Sequence, residues 1–441
     1  MGAASNTALA IWINGQRVGL WDQVRGGSQT FAYDAEWLRS AYARPLSLSL
    51  PLLLEGRVHR GPGVAAYFEN LLPDSQAIRS RIRERVGARS TRAFDLLAEI
   101  GRDCVGAVQL LPVDAVPDNL QRIDATPLSE AGVAQVLRSV TAASGLGQRI
   151  TGDFRISIAG AQEKTALLWH EGAWCLPCGS TPTTHIFKLP LGRVGNMQAD
   201  LSSSVENEWL CSRVVAAFGI PVANTDMAMF EDQKVLIVER FDRRMSSEGR
   251  WWLRLPQEDM CQAFGLPPDL KYETDGGPGV PKIMELLTRS TQPDRDRHAF
   301  FKAQVVFWML AATDGHAKNF SLHLNAGGSY ELTPLYDVLS AHPVIGRGPN
   351  QLDPHDARLA MAVVSKNRHY DIRGIRASHW QAMAKRCGID GRALLDGVIA
   401  ETATVIETVT AELPDAFPGA VATPVLEGLR AASERLQAQL A

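Results

Sequence analysis

Cysteine is scarce, with six residues irregularly spread over 441, which excludes a disulfide framework and suits a reducing compartment. Cys175-Leu-Pro-Cys178 lacks a second pair or suitably spaced histidines, so it reads as a β-turn and not as a zinc or redox site. No apolar run approaches the roughly 18 residues that a bilayer span needs. The stretch Met1-Gly-Ala-Ala-Ser-Asn-Thr has neither the charged nor the apolar region of a signal peptide, and the expected location is cytoplasmic. A surplus of one charge is missing too. Against 45 Lys and Arg stand 48 Asp and Glu, a net charge of −3, which argues against a chain-wide basic surface for nucleic acid and leaves only a local patch open.

What the chain does have is length, enough for two or three lobes that each bury a core. Residues 1–145 read as an α+β module. Ala8 to Trp21 alternates around Asn14-Gly15, the signature of a tight hairpin, and Gln29 to Tyr33 joins it. Leu46 to Leu52 alternates as a further strand, Ala65 to Leu72 is helical, and Asp74 can cap a helix running to Val86. That helix carries Arg79, Arg81, Arg83 and Arg85, read as a solvated face, with a patch for an acidic partner as the sharper alternative. No chemistry is recognisable in this module.

The chemistry lies further on, in Ala311-Ala-Thr-Asp314-Gly-His316-Ala317-Lys318-Asn319-Phe320. Asp314 and Asn319 have the spacing by which protein kinases place a catalytic base ahead of a metal-holding Asn. Phe320 to Tyr336 alternates and turns as a hairpin, and it delivers Asp337 as a second metal-binding acid. Phe300 to Leu310 is an apolar helix able to anchor this loop in a core. Ordinary turn capping accounts for an isolated Asp and Asn five apart, so the order of the other parts matters. Arg155 to Leu168 is a strand, a small-residue turn at Ala159-Gly160-Ala161, and a second strand, a geometry that lets backbone N–H groups approach phosphate. Lys188 ends the strand Thr184 to Lys188, and the helix from Ser204 to Phe218 offers Glu206 or Glu208 as its partner, with Glu208 favoured. Val235 to Val238 runs into Glu239-Arg240-Phe241, where an adenine could be met and covered. From about Leu255 the chain turns helical: Gln257 to Phe264, Gly279 to Arg289, the apolar helix, and several more, the last capped by Thr423-Pro424. Units of 1–145, 146–250 and 251–441 follow, in an α+β, two-lobed protein-kinase-like fold whose C-terminal lobe is all-helical.

The wording of four segments resembles the HipA family of serine/threonine-protein kinase toxins: Ser157-Ile-Ala-Gly-Ala-Gln-Glu-Lys-Thr-Ala-Leu, Arg254-Leu-Pro-Gln-Glu-Asp-Met-Cys-Gln, Ala312-Thr-Asp-Gly-His-Ala-Lys-Asn-Phe and Leu332-Thr-Pro-Leu-Tyr-Asp. The resemblance implies ATP and Mg²⁺ as cofactors and Asp314 as catalytic base, with Asn319 and Asp337 on the metal. It implies that Ala159, Gly160, Ala161, Gln162, Glu163 and Lys164 form a phosphate loop and that Lys188 contacts ATP phosphates. Glu239, Arg240 and Phe241 would lie at the adenine, and His316, Ala317, Lys318 and Tyr336 would complete the nucleotide contacts. Ser157 would be an autophosphorylation site that silences the enzyme by adding charge beside the phosphate loop. The implied partners are an aminoacyl-tRNA synthetase as substrate, typically the glutamate enzyme, a HipB-like helix-turn-helix antitoxin, and promoter DNA, to which Arg373 and Arg376 are the candidate contacts. The chain has no H-R-D before Asp314, and Tyr336-Asp337-Val338 replaces D-F-G, so the usual activation-loop control is not expected. A small-molecule kinase and a pseudokinase acting as a DNA-binding co-repressor remain open.

Overall fold

The computed structural model describes residues 8–23, 28–141, 156–157, 160, 162–195 and 198–441. Ala159, Ala161 and the side chain of Ser157 lie outside the described residues.

The N-terminal unit is a five-stranded antiparallel sheet in the order Val58–Arg60, Gln29–Tyr33, Gln16–Gln23, Ala8–Ile13, Val108–Pro112. Asn14 and Gly15 both take positive φ at the first turn, as an Asn-Gly hairpin requires. Helices Pro62–Glu69, Gln76–Val86 and Ala93–Ile100 cover the sheet. Trp21 stacks on Phe68 with ring centroids 3.7 Å apart, and Phe94 meets it edge-on. Leu46 to Leu50 forms a turn closed by a Ser47–Leu50 bridge and not a strand. Its serines are drawn out of any ladder because Ser47 and Ser49 both donate to the Gln262 carbonyl in another unit.

The second unit is a six-stranded antiparallel sheet, Thr225–Phe230, Gln233–Glu239, His185–Lys188, Lys164–His170, Ala173–Pro177, Ala125–Pro127. The strand Ala125–Pro127 belongs to this sheet, and the helix Glu130–Thr141 buries Val133 and Leu137 against Leu167 and Phe187. Both therefore belong with the second unit and not with a module reaching to 145. Cys175 and Cys178 are free thiols on and just after the strand Ala173–Pro177.

Residues beyond 250 are helix-rich but not all-helical. Gln257–Asp259 is a strand paired to Ser321–Leu324, which pairs in turn with Tyr330–Leu332, and Arg358–Val364 pairs with Arg368–Asp371. The helix Pro293–Met309 runs through the largest core, where Phe300, Phe301, Val305, Val306 and Met309 are buried. The last helix, Gly419–Leu440, begins earlier than expected and holds Pro424 inside it. Pro424 is five residues after the helix starts, past the four N–H groups that have no intrahelical partner, so the helix forgoes the bond to the Ala420 carbonyl there. No described helix is long and apolar enough to cross a membrane.

The segment Arg254 to Gln262 is the seam that docks the N-terminal unit. Glu258 accepts from Leu48 N at 2.9 Å, Gln262 Nε2 donates to the Tyr67 carbonyl, and Asn14 bonds both backbone groups of Arg254. Burial pushes the Glu258 carboxyl up to about 8. A folded-state value above the unfolded one means the folded protein holds an extra proton between about pH 4.3 and pH 8, so stability falls as pH rises through that window. Glu258→Gln should therefore raise the melting temperature by several degrees at pH 8 and leave it nearly unchanged at pH 4.5, as read by differential scanning calorimetry.

Candidate active site

The buried end of Pro293–Met309 sets the first part of the site. Leu310 closes the helix, Ala311 turns the chain at φ 50°, and Ser340 Oγ ties the Leu310 carbonyl at 2.6 Å. Gly315 is demanded by packing, since a Cβ there would lie 2.6 Å from the Phe307 ring. The short 3-10 turn Ala317–Asn319 follows. Asn319 Nδ2 donates to the Asp314 carbonyl at 2.9 Å and to the Asp337 carbonyl at 3.4 Å. The amide nitrogen is thus spent on holding both loops together, which leaves the amide oxygen as the atom that could hold a metal. Asp314 itself stays open, its side chain 60% exposed.

The hairpin Ser321–Leu324 and Tyr330–Leu332 then carries the chain to Asp337, which has φ 62°. Lys188 Nζ donates to Asp337 Oδ1 at 2.8 Å and to Glu208 Oε1 at 2.5 Å. Glu208 is thus the helical partner of Lys188, while Glu206 pairs with Lys234. Burial disfavours the charge on Lys188, but Asp337 and Glu208 outweigh it and hold the ammonium above the usual lysine range. Burial also opposes the Asp337 charge, and Lys188 and then Lys164 override it, holding the carboxyl well below its ordinary value.

Gly160 stands at φ 115°, and a Cβ on it would lie 2.5 Å from Lys164 Nζ, so glycine lets the loop close over that lysine. Burial pulls Lys164 down to about 8. Gln162 Nε2 donates to the Leu189 carbonyl at 2.5 Å, and the Glu163 carboxylate pairs with Arg81. Both side chains brace the loop and neither faces a phosphate site.

The apolar part of the cleft is made by Ile186, Val238 and Phe241, with Tyr336 and Phe241 rings 5.8 Å apart. Glu239 follows Val238, its carboxylate taking Asn224 Nδ2 at 2.8 Å. Arg240 corrects an expectation. Its guanidinium is buried on Asp242, Asp103, Thr183 and the Cys104 carbonyl, so every donor nitrogen is used and only its backbone is left for a ligand. Lys318 likewise spends its ammonium on Asp74 at 2.7 Å. Tyr336 O–H bonds Ser321 and the Lys318 carbonyl, which leaves only its ring for a ligand.

Asn70, Leu71, Asp74 and Val105, all from the N-terminal unit, line the same cleft. Asp74 does not cap the following helix. Ser75 Oγ accepts from Ile78 N there, which frees Asp74 to take Lys271 at 2.9 Å and Lys318 at 2.7 Å. Burial opposes that carboxylate, and the two lysines overcome it, lowering it to about 2. The arginine helix is a solvated face only in part, at Arg83, which pairs with its neighbour Glu84 at the surface. Arg79 is buried on Glu69 and the Pro73 carbonyl, and Arg81 reaches Glu163. A second missed residue is Tyr272, whose O–H donates to Asp314 Oδ1 at 2.5 Å.

The donor set suits ATP and Mg²⁺. Two hard oxygen ligands, from Asn319 and Asp337, are what Mg²⁺ takes when phosphates and water supply the rest. His316 Nδ1 is buried in the cleft wall without a hydrogen-bond partner among the described residues, a polar atom that a bound ligand would satisfy. Burial lowers the His316 pKa, so the ring is neutral.

Comparison with known proteins agrees with this geometry. The HipA-like C-terminal domain matches residues 156–415 and the HipA N-terminal domain residues 9–111. Y4mE of Sinorhizobium fredii, named as a kinase, is 33% identical over 93% of both chains. The serine/threonine-protein kinase toxin HipA of Shewanella oneidensis is 26% identical over 84% of this chain and 81% of its own. The solved complex of S. oneidensis HipA with HipB and operator DNA matches at 23% identity with a TM-score of 0.79, covering 98% of each chain, and so shares the fold. Two domain matches in the expected order, together with a relative one-third identical along nearly its whole length, place this chain in the HipA family.

Proposed function

We propose that this chain is an ATP- and Mg²⁺-dependent protein serine/threonine kinase, the toxin of a toxin–antitoxin module. The observation that carries the reading is the Glu208–Lys188–Asp337 chain of ion pairs meeting Asn319 and Asp314 in one cleft. A folded scaffold without catalysis would have no need to hold a buried lysine between two acids.

In this reading Lys188 holds ATP phosphates, oriented by Glu208, and Lys164 with the Gly160 backbone closes over them. Asn319 and Asp337 would hold Mg²⁺, which when bound offsets charge on the phosphoryl oxygens. Asp314 accepts the proton of the acceptor hydroxyl. Phe241 and Val238 cover the adenine, and His316 Nδ1 supplies a polar contact from the cleft wall. Ser157 is the autophosphorylation site, on the strand Ile156–Ser157 that pairs in parallel with Asp103–Cys104. The proposed substrate is an aminoacyl-tRNA synthetase, with the glutamate enzyme first, whose phosphorylation would block translation and arrest growth as in persistence. A HipB-like antitoxin and, through it, promoter DNA are the proposed partners in the cytoplasm. The relative's complex with HipB and operator DNA supports this, and exposed Arg373 and Arg376 are candidates for direct backbone contact.

The test is transfer from labelled ATP with Mg²⁺ to glutamate– and tryptophan–tRNA synthetases, with Asp314→Ala as control. Label on one synthetase, reduced about 100- to 1,000-fold in the variant, is the expected result. Label on small molecules only would favour the small-molecule kinase, and absence of nucleotide binding by calorimetry would favour the co-repressor.

A further inference from the structure

A general base must lie within about 2.6–3.2 Å of the hydroxyl it deprotonates, so whatever donates a hydrogen bond to Asp314 stands where an acceptor must stand. In this structure that donor is Tyr272, at 2.5 Å from Asp314 Oδ1. Tyr272 lies between the 3-10 turns Pro268–Leu270 and Glu273–Asp275, and no part of the nucleotide site calls for it.

Its position is built and not incidental. The ring packs edge-on against His316 with centroids 5.1 Å apart. The preceding residue, Lys271, accepts from Ala317 N through its carbonyl at 3.1 Å and gives its ammonium to Asp74. The Tyr272 carbonyl accepts from Gly277 N at 2.9 Å and from Asp275 N at 3.1 Å. A Cβ on Gly277 would lie 2.5 Å from the Leu270 carbonyl and 2.8 Å from that of Tyr272, so the turn is closed on glycine. The phenol is thus pinned by its backbone, its neighbour and its ring, while the O–H alone touches the base. These bonds also survive removal of the hydroxyl.

We propose that Tyr272 is a placeholder for the acceptor hydroxyl, occupying Asp314 Oδ1 in the resting enzyme, keeping water from that one oxygen of the otherwise exposed carboxylate and yielding to the substrate's serine or threonine. The proposal rests on the kinase reading of the cleft and adds to it the group that suppresses wasteful hydrolysis. Without the phenol oxygen, a water takes its place at Asp314 Oδ1, where the acceptor hydroxyl would stand. Its proton passes to the carboxylate, its oxygen bonds the terminal phosphorus of ATP, and the bridging oxygen leaves with ADP.

The experiment compares wild type and Tyr272→Phe in the full chain, by ADP release from ATP with Mg²⁺ and no acceptor, and by amide hydrogen exchange of residues 314–319 without nucleotide. The expected result is ADP release about 3- to 10-fold faster in the variant, abolished again in Asp314→Asn/Tyr272→Phe, with exchange changed less than twofold. An unchanged or slower release from a wild type that does turn over ATP would overturn the placeholder and leave the kinase standing. Catalytic-loop exchange faster by tenfold would also overturn it, since the hydroxyl would then be a structural tie. If neither protein binds ATP by calorimetry, the kinase reading falls and takes this proposal with it.

Discussion

Asp337→Ala is expected to lower phosphoryl transfer by about four orders of magnitude, more than removal of the base, while the protein stays folded. A loose transition state asks little of a base and much of the charges around the phosphoryl oxygens. Asp337 serves both parts of that field. It is one of two metal-ligand candidates, and it shares Lys188 with Glu208. Its loss removes a ligand and leaves Lys188 to be held by Glu208 alone, 20 residues away in sequence on the helix Ser204–Ala217. Measured by label transfer over a titration of Mg²⁺, Asp337→Ala should show no recovery at high metal. An active enzyme, or one rescued by tenfold more Mg²⁺, would refute the assignment. A melting temperature within a few degrees of wild type separates lost chemistry from lost fold.

Asp103→Ala should cost about 3–5 kcal/mol of stability, because it strands buried guanidiniums. Asp103 meets Arg243 at 2.9 Å, Arg254 at 3.3 Å and Arg240 at 3.4 Å, while Asp242 meets Arg240 at 2.8 Å and Arg243 at 3.2 Å. Three arginines with two aspartates already carry a surplus positive charge, and every member is nearly solvent-free. Burial opposes the Asp103 charge, but Arg243, then Arg240 and Arg254, hold its carboxyl far below the ordinary range. A depressed folded-state value contributes stability above the unfolded pKa of about 3.9 that is lost as pH falls below it. Urea unfolding should therefore show a midpoint drop for Asp103→Ala at pH 7 that narrows toward pH 3. An equal midpoint for the two proteins at pH 7 would mean that the cluster is energetically neutral.

The catalytic loop could be read in the sequence because its residues are contiguous and their spacing is set by one short turn. Asp314, Asn319 and Asp337 converge as that spacing implies, and Lys188 finds Glu208 because a strand end and a helix offer only two candidate acids. What sequence could not show comes from pairs far apart in the chain. Asp74 and Lys318 are separated by 244 residues, and Asp103 and Arg254 by 151. Asp74 invited the reading of a helix cap because Asp is a preferred cap, yet the adjacent Ser75 is equally suited and took that place. The family resemblance puts Arg240 at the adenine and Lys318 among the nucleotide contacts, and burial against acids from the N-terminal unit decides otherwise for their side chains. The segment Arg254 to Gln262 was legible as a word but not as a role, since its partners, Leu48 and Tyr67, belong to a turn and a helix of the N-terminal unit.

The buried cluster also imposes an order on synthesis. Asp103 leaves the ribosome long before Arg240, Arg243 and Arg254, and at about 5–20 residues per second the 137-residue interval to Arg240 lasts roughly 7–27 s. Through that time the nascent N-terminal unit presents a carboxylate with none of the cluster's arginines to receive it, and the strand after which Arg240 lies is not complete. The cleft whose wall that unit supplies can be assembled only after the arginines arrive. A chain arrested before Arg254 therefore lacks both the completed cluster and the cleft.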